Sequence, residues 1–375
     1  MFKKIFKNKK EDKKEESKSS ARYYDLKVSK INRETKDAIT IYFENPESGL
    51  PEYKSGQFLT LVVPVGGSEL RRSYSLCTTP FADKEMAVTV KRIEDGVVSN
   101  HLNDTLKEGD TLKVMEPMGV FTTNYSTNTY RHLILIGGGS GITPLISILR
   151  SALIKEPNSL VSLIYANRDV DSIIFRNYLN ELENDYGDRL CIKHILDKPA
   201  DDWDGHSGLL TPEKLKSIIS ELPSRDDEFT EFFLCGPTGM MEIVRDTLEE
   251  MKIDKKNIHR ESFVSKSSNP LNNATQEQQS DLGREAREVT IILDGEEHQF
   301  QVESEETILE AGLDRDIDMP FSCQSGLCTA CRGKLVSGKV EMDESEGLSE
   351  KEINDGYVLC CVGHPMTDDV KIEIG

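Results

Sequence analysis

The sequence predicts three successive domains: an antiparallel β-barrel, a parallel α/β domain and a small cysteine-bearing domain. Three observations predict this order: short β-rich runs between turns, then alternating β and α patterns, then five clustered cysteines. The 375 residues exceed one average domain, and a hydrophobic content of 37% supplies apolar material for several cores. We place the domains at 21–125, 126–263 and 288–375, with a flexible linker over 264–287.

Charge is distributed unevenly along the chain. The formal net charge is −20, and residues 288–375 hold 21 acidic against six basic residues. Such a surface repels phosphate backbones, which argues against nucleic-acid binding; it either attracts a basic protein patch or is simply solvated. Residues 1–20 predict a disordered basic tail rather than a membrane contact. No run reaches ~18 apolar residues and no signal peptide is visible, so we expect a cytoplasmic protein.

The barrel is predicted from short β-rich runs at Phe58–Val63, Met86–Arg92 and Thr111–Val114. Turn signals such as Gly66–Gly67 and Asp95–Gly96 separate these runs. This spacing is typical of an antiparallel barrel.

The α/β domain is predicted from continuous apolar runs of the kind that form buried strands. These runs are Leu133–Ile136, Leu160–Tyr165 and Phe232–Cys235. Helical patterns lie after the first run through Ile154, at Ile173–Asn184 and at Met240–Met251. The alternation predicts a parallel sheet with helices on both faces.

The third domain opens with a hairpin signal. Val289–Leu293 and Gln299–Val302 flank Asp294–Gly295, a dipeptide typical of tight hairpin turns. A short helix is predicted near Thr307–Asp314, before a cysteine-bearing loop.

The clustered cysteines are the strongest chemical signal. Cys323, Cys328 and Cys331 follow C-x4-C-x2-C, and the adjacent Cys360 and Cys361 supply a fourth thiolate. This is the spacing of a plant-type [2Fe–2S] cluster. Disulfides are disfavoured because nothing indicates export, and zinc because only one C-x2-C pair is present. Spacing alone leaves the choice between Cys360 and Cys361 open.

Two short motifs combine basic, aromatic and hydroxyl side chains. They comprise Arg72, Ser73, Tyr74 and Ser75 in a strand-like run, and Val97, Val98 and Ser99 about twenty residues later. An arginine can hold a pyrophosphate, a tyrosine can lie on an isoalloxazine ring, and a helix beginning near Ser99 offers N–H groups to phosphate. Taken alone, the strand motif also fits an ordinary strand.

A glycine-rich segment follows Leu133–Ile136 and opens a helix. It comprises Gly137, Gly138, Gly139, Ser140, Gly141, Ile142, Thr143 and Pro144. Glycine permits close approach of a diphosphate, whose charge then lies at the helix N-terminus. The segment is not the G-x-G-x-x-G fingerprint, because Ile142 stands where the third glycine is required, so a turn without a ligand is the alternative. Arg168 could hold a ribose 2′-phosphate, favouring NADPH over NADH, or be a solvated surface residue.

Together these motifs resemble the ferredoxin–NADP reductase superfamily over residues 21–375. The resemblance rests on RSYS, GVVSNHL, GSGITP and the triplet Cys235, Gly236 and Pro237. It implies an FAD domain, with FMN as the alternative, and an NAD(P) domain. Arg72 would contact the FAD diphosphate, Tyr74 would stack on the flavin and Ser75 would lie near its reactive edge. Cys235 would lie near the point of hydride transfer, and Phe263 would cover the flavin.

Residues 288–375 resemble a plant-type ferredoxin, an α+β domain with the β-grasp fold. In GYVLCCVGHP the family's ligand stands two residues after the leucine, which implies that Cys361 is the fourth ligand. Cys360 takes a position where the family usually carries Ser or Thr.

A chain with these three sites is expected to be an electron-transfer reductase. NAD(P)H gives two electrons as a hydride, a [2Fe–2S] cluster accepts one, and a flavin handles both. The domain order most resembles the reductase components of ring-1,2-phenylacetyl-CoA epoxidase, whose partner is a di-iron oxygenase. This implies an oxygenase component as partner and a role in phenylacetate catabolism. The alternatives are a reductase for another oxygenase or hydroxylase, and a redox sensor or electron carrier without turnover.

Overall fold

Three main sheets follow one another along the chain. The computed structural model describes residues 23–45, 49, 51–223, 229–263, 285–321, 323–324, 326, 328–345 and 347–374. The predicted tail over 1–20 and most of the predicted linker over 264–287 lie outside the described residues. No helix within the described ranges has the length and apolar character needed to cross a membrane.

The first sheet is a closed antiparallel barrel. Its strands are β1 (Tyr23–Thr35), β2 (Ala38–Phe43), β3 (Phe58–Val65), β4 (Ser68–Ser75), β5 (Met86–Lys91) and β6 (Thr111–Met118). They pair in the order β4-β3-β6-β1-β2-β5. An antiparallel bridge from Leu76 to Val88 joins the end of β4 to β5 and closes the sheet. The predicted barrel is confirmed, and helix α1 (Val97–Thr105) begins two residues before the predicted start at Ser99.

The second sheet is parallel. Its strands are β7 (His132–Gly138), β8 (Leu160–Asn167), β9 (Leu190–Leu196), β10 (His206–Ser207), β11 (Thr230–Cys235) and β12 (Ile258–Glu261), in the order β10-β9-β8-β7-β11-β12. Its helices are α2 (Ile142–Lys155), α3 (Arg176–Tyr186), α4 (Pro212–Glu221) and α5 (Thr238–Glu250). Helices α2 and α3 pack on one face and α4 and α5 on the other, so the predicted architecture is confirmed.

Helix α3 begins three residues later than predicted from Ile173–Asn184. Asp169 caps a short 3₁₀ turn at Val170–Ser172, with its side chain accepting from Ser172 N. Phe175 then takes a left-handed φ of 63°, which an α-helix does not allow. The regular helix therefore starts only at Arg176.

Hydroxyl groups and an ion pair along α2 join the first two domains. Ser151 Oγ lies 2.5 Å from Ser55 Oγ and 2.7 Å from Thr79 Oγ1, and all three side chains are buried. Arg150 donates to both carboxylate oxygens of Asp83 at 2.5 and 2.8 Å. Buried hydroxyls need partners, so this set, which we call the α2 seam, specifies one way for the barrel to meet the helix.

The third sheet is mixed. Its strands are β13 (Arg287–Leu293), β14 (Glu296–Val302), β15 (Arg332–Ser337), β17 (Tyr357–Leu359) and β19 (Val370–Ile374), in the order β14-β13-β19-β15-β17; β16 (Val340–Met342) and β18 (Gly363–Pro365) form a separate pair. Strands β13 and β19 run parallel, whereas their neighbours pair antiparallel. Helix α6 (Ile308–Leu313) packs into the core, and α7 (Glu350–Asn354) is short. This is the predicted α+β fold.

The predicted hairpin of the third domain is confirmed. Strands β13 and β14 pair in register from Leu293–Glu296 outward. Asp294 and Gly295 have φ values of 58° and 78°, and two successive positive φ angles match the tight turn that the sequence predicts.

Candidate functional site

Two bare stretches of backbone meet at the carboxyl ends of β7 and β11. Gly137 pairs with Cys235 across these strands. A Cβ at Gly141 would lie 2.0 Å from the carbonyl oxygen of Cys235, and one at Gly138 would lie 2.7 Å from Pro237 Cδ. Ligands of parallel sheets bind at the carboxyl ends of strands. The two stretches therefore pack against each other with no room for side chains, at the edge where a nucleotide diphosphate is expected to bind; we call this edge the cradle.

The conformation of the turn between β7 and α2, next to this cradle, is fixed by a glycine and a hydrogen bond. Gly139 has a φ of 54°, a conformation that favours glycine, and its carbonyl accepts from Tyr165 Oη at 2.8 Å. The first turn of α2 contains Ile142, Thr143 and Pro144, all buried, with Thr143 Oγ1 donating to the carbonyl of Ser140. The positive dipole end of α2 thus lies beside the cradle. The Ile142 N–H already donates to the carbonyls of Gly139 and Ser140, and Pro144 has no N–H.

The Cys235 side chain is fully buried beside the cradle. Burial and the neighbouring Glu261 raise the pKa of its thiol. Cys235 and Glu261 face each other across β11 and β12, and Gly236 brings bare backbone against Gly138. Phe263 follows β12 and is exposed.

Sequence reasoning missed two titratable residues at this edge. Burial raises the pKa of Glu261 to about 8. Lys91 ends β5, and its Nζ lies 3.1 Å from where a Cβ of Gly139 would stand. Burial, with Arg168 close by, lowers the pKa of Lys91. The only sequence signals were a lysine at the end of a predicted strand and a glutamate two residues before Phe263.

Arg168 lies at the same edge but already has an anionic neighbour. Its Nε donates to Asp169 Oδ2 at 2.9 Å, and its side chain is half exposed. A 2′-phosphate on the ribose would therefore compete with Asp169 for the guanidinium.

The residues predicted to hold a flavin lie on β4 and at the start of α1. Arg72, Ser73 and Tyr74 are half-buried, Ser75, Val98 and Ser99 are buried, and Val97 is exposed. Burial raises the pKa of the Tyr74 phenol, so it stays protonated. Ser99 Oγ accepts from Ile93 N at 3.2 Å, so α1 offers a phosphate its first backbone N–H groups rather than this hydroxyl.

The cysteine-bearing loop lies against the same end of the barrel. Phe58, the first residue of β3, pairs with Ser75 of β4 and packs in one apolar cluster with Cys328 and Ala330. Met118 and Cys323 border this apolar contact. Phe58 therefore lies between the residues predicted to meet the flavin edge and the residues predicted to bind iron.

The structure brings Cys361, which follows β17, together with the three thiols of this loop. Hydrogen bonds with the thiols of Cys323 and Cys331, together with burial, raise the pKa of the Cys361 thiol. A hydrogen bond with Cys323 also raises the pKa of the Cys328 thiol. No three His, Cys, Asp or Glu side chains surround one metal-ion position in the described part of the chain. The pairwise thiol contacts instead fit a [2Fe–2S] cluster, which spreads four thiolates over two irons.

Fold and site together define an oxidoreductase with flavin, pyridine-nucleotide and iron–sulfur domains. Three family models match consecutive parts of the chain. They are the oxidoreductase FAD-binding domain over residues 25–123, the oxidoreductase NAD-binding domain over 135–246, and the 2Fe-2S iron-sulfur cluster binding domain over 291–366.

Relatives that match almost the whole chain define the class of oxidoreductase more closely. The chain is 38% identical to the ferredoxin reductase component of 3-ketosteroid-9-alpha-monooxygenase from Rhodococcus rhodochrous, over 93% of this chain and 96% of that one. It is 34% identical to one of the subunits of 1,2-phenylacetyl-CoA epoxidase from Escherichia coli (strain K12), over 94% and 97%. The solved structure of phthalate dioxygenase reductase matches 94% of this chain and 98% of that one, with 25% identity and a TM-score of 0.59. The chain belongs to this family of oxygenase reductase components, and the resemblance found in the sequence is confirmed.

Replacing Gly141 with alanine tests the cradle. Because the new Cβ would meet the Cys235 carbonyl, the loop must shift, and a misplacement of ~1 Å can cost about 100-fold in kcat/KM. We expect Gly141→Ala to slow the reduction of the flavin by NAD(P)H on this scale. The rate is measured from the decrease in flavin absorbance as the flavin is reduced. Gly239→Ala is the matched control, since a Cβ there meets nothing within 4 Å. Equal rates in the two variants would show that the close approach does not shape the site.

Proposed function

We propose that this oxidoreductase takes a hydride from NAD(P)H and passes single electrons to an oxygenase component. The observation that carries the proposal is the meeting of the predicted sites around Phe58, which pairs with the strand end at Ser75 and packs in one cluster with Cys328 and Ala330. No pocket for a separate organic substrate is needed by this chemistry, because the second substrate is a protein.

The bound groups supply the redox chemistry, and the chain supplies their placement. When bound, a flavin accepts a hydride and releases electrons singly, and a [2Fe–2S] cluster takes one electron at a time. We assign Arg72 to the FAD diphosphate, Tyr74 to the face of the ring and Ser75 to its reactive edge. The glycine cradle orients the nucleotide against Cys235, and the apolar contact of Phe58 excludes water between the flavin and cluster sites.

The function is tested by NAD(P)H-dependent reduction of cytochrome c and of ferricyanide by the purified holoprotein. We expect turnover with both acceptors, and the absence of turnover would favour the sensor hypothesis. We further propose that the physiological acceptor is the oxygenase component of a phenylacetyl-CoA epoxidase. A steroid monooxygenase is the second candidate, because the Rhodococcus relative has the higher identity.

Reconstitution separates these two acceptors. The reductase is mixed in turn with a purified phenylacetyl-CoA epoxidase oxygenase component and a purified 3-ketosteroid monooxygenase oxygenase component, each with its substrate. We expect product-coupled NAD(P)H consumption with the first. Coupling only with the second would reject the phenylacetyl-CoA assignment and retain the reductase function.

We assign Cys323, Cys328, Cys331 and Cys361 as the cluster ligands. Cys361→Ser should sharply impair cluster assembly, because a serine hydroxyl replaces a thiol that contacts two of the other three. Cys360→Ser is the matched control one residue away, and it should leave the visible iron–sulfur absorbance largely intact. The measurement is the absorption spectrum after anaerobic reconstitution. The opposite pattern would make Cys360 the fourth ligand.

We also propose that NADPH is preferred through Arg168. Arg168→Ala should lower kcat/KM for NADPH about tenfold while changing that for NADH little, because only NADPH carries the 2′-phosphate that the guanidinium would hold. Arg245→Ala is the control, since Arg245 is likewise exposed and paired with the aspartate that follows it. A similar effect on both nucleotides would remove Arg168 from the 2′-phosphate site.

A further inference from the structure

One arginine of the barrel reaches into the iron–sulfur domain. The Arg71 guanidinium lies over the Phe321 ring, with Cζ 4.2 Å from the ring centre. Its Nη2 lies 3.4 Å from Asp318 Oδ1. The ring of Tyr23, on β1 of the barrel, flanks the same guanidinium at 5.7 Å. Arg71 is therefore held by an aromatic side chain of its own domain and contacts an aromatic ring and a carboxylate of the other.

Arg71 is not among the residues assigned to the flavin. It precedes Arg72 in β4, and successive side chains of a strand leave opposite faces of the sheet. Arg72 and Tyr74 thus share one face, whereas Arg71 shares the other with Ser75, the residue assigned to the reactive edge of the flavin. Bound flavin is therefore measured in each Arg71 variant, to separate a change of domain contact from loss of the cofactor.

The Arg71 contact and the Phe58 contact lie on either side of the segment that leads into the cysteine loop. Phe321 precedes Cys323 by two residues, and Cys323 borders the Phe58 contact. On the barrel side, Phe58 and Arg71 lie on the paired strands β3 and β4. Two contacts on one hairpin thus set both the position and the orientation of the loop that carries the cluster ligands.

We propose that Arg71 is a positioning residue that docks the iron–sulfur domain on the barrel in the pose for flavin-to-cluster electron transfer. This rests on the proposed reductase function. Arg71 takes no part in the redox step, in which one electron leaves the flavin and one enters the cluster. It acts by raising the fraction of time that Cys328 lies against Phe58.

The contact is suited to opening as well as closing. Arg71 Nη1 is buried and has no hydrogen-bond partner among the described residues. We infer that separation of the domains would let water reach this N–H. That gain offsets part of the lost cation–π contact. The docked pose is therefore favoured without being locked, which a domain needs if it also delivers electrons to a separate protein.

The test uses full-length holoprotein with Arg71→Ala, Arg71→Lys and the control Lys113→Ala. Lys113 is the matched control because it and Arg71 both pair with Val62, and its Nζ lies 4.7 Å from the same Tyr23 ring. Among the described residues Lys113 makes no salt bridge to the iron–sulfur domain. The readouts are ferricyanide reduction, which can drain the flavin directly, cytochrome c reduction through the cluster, and the radius of gyration from X-ray scattering without nucleotide.

We expect Arg71→Ala to slow cytochrome c reduction about tenfold, the scale of a partly desolvated cation–π contact, and to leave ferricyanide reduction unchanged. The radius of gyration should increase as the domain undocks. Arg71→Lys should restore part of the rate, since it keeps the charge but lacks the flat guanidinium. Lys113→Ala should behave as the wild type in all three measurements.

Two results would overturn the proposal. Wild-type cytochrome c reduction and scattering in Arg71→Ala would show that the contact does not dock the domain. A parallel fall of both activities with loss of bound flavin would make Arg71 a flavin ligand instead. Should the wild type itself reduce neither acceptor, the reductase function fails, and the scattering comparison still decides whether Arg71 docks the domain.

Discussion

Phe58 packs in one apolar cluster with Cys328 and Ala330, and this contact joins the barrel to the iron–sulfur domain. The Phe58 backbone is itself held in the barrel by its pairing with Ser75. Electron transfer slows steeply with distance, so a reductase must hold its redox sites close together and keep water from between them. Under the proposed function, the aromatic ring at the first position of β3 serves both requirements. The cysteine loop, the end of β4 and the end of β6 all meet at this one side chain.

The cradle at the carboxyl ends of β7 and β11 depends on a different constraint, which is the absence of side chains. Gly138, Gly141 and Gly236 bring the ends of β7 and β11 so close that each added Cβ would meet neighbouring atoms within 3 Å. A nucleotide diphosphate at the start of α2 is expected to approach this same bare backbone. Packing of the two strands and affinity for the nucleotide thus draw on the same bare backbone, and neither can be changed alone.

Local patterns in the sequence predict those features whose cause is local. The continuous apolar runs found β7, β8 and β11, and Asp294–Gly295 found the hairpin turn. Strand β12 was not predicted, because its four residues lie at the sheet edge, include two charged side chains and show no apolar pattern. Helix α4 was not predicted either, although Thr211 and Pro212 form a recognisable helix N-terminus. The start of α3 was predicted too early, because no residue pattern indicates the positive φ angle of Phe175.

Sequence reasoning missed Lys91 and Arg71 for one physical reason. Lys91 meets Gly139 and Arg71 meets Phe321 only because separate domains come together. Contacts across such sequence distances leave no periodic trace, whereas the cysteine spacing and the glycine run do, because their ligands select neighbouring positions. The choice between Cys360 and Cys361 lies between these cases, since resemblance selected Cys361 and the fold brings that thiol onto its neighbours.

The α2 seam has a consequence for how such a chain can be assembled in evolution. Because buried hydroxyls of Ser55, Thr79 and Ser151 need each other, the barrel and the α/β unit are inherited as one block. Among the described residues, the iron–sulfur unit meets that block through the Phe58 ring, Met118 and Arg71, and it has a separate core. It can therefore be exchanged, moved to the other end of the gene or lost, while the block keeps its capacity for hydride chemistry.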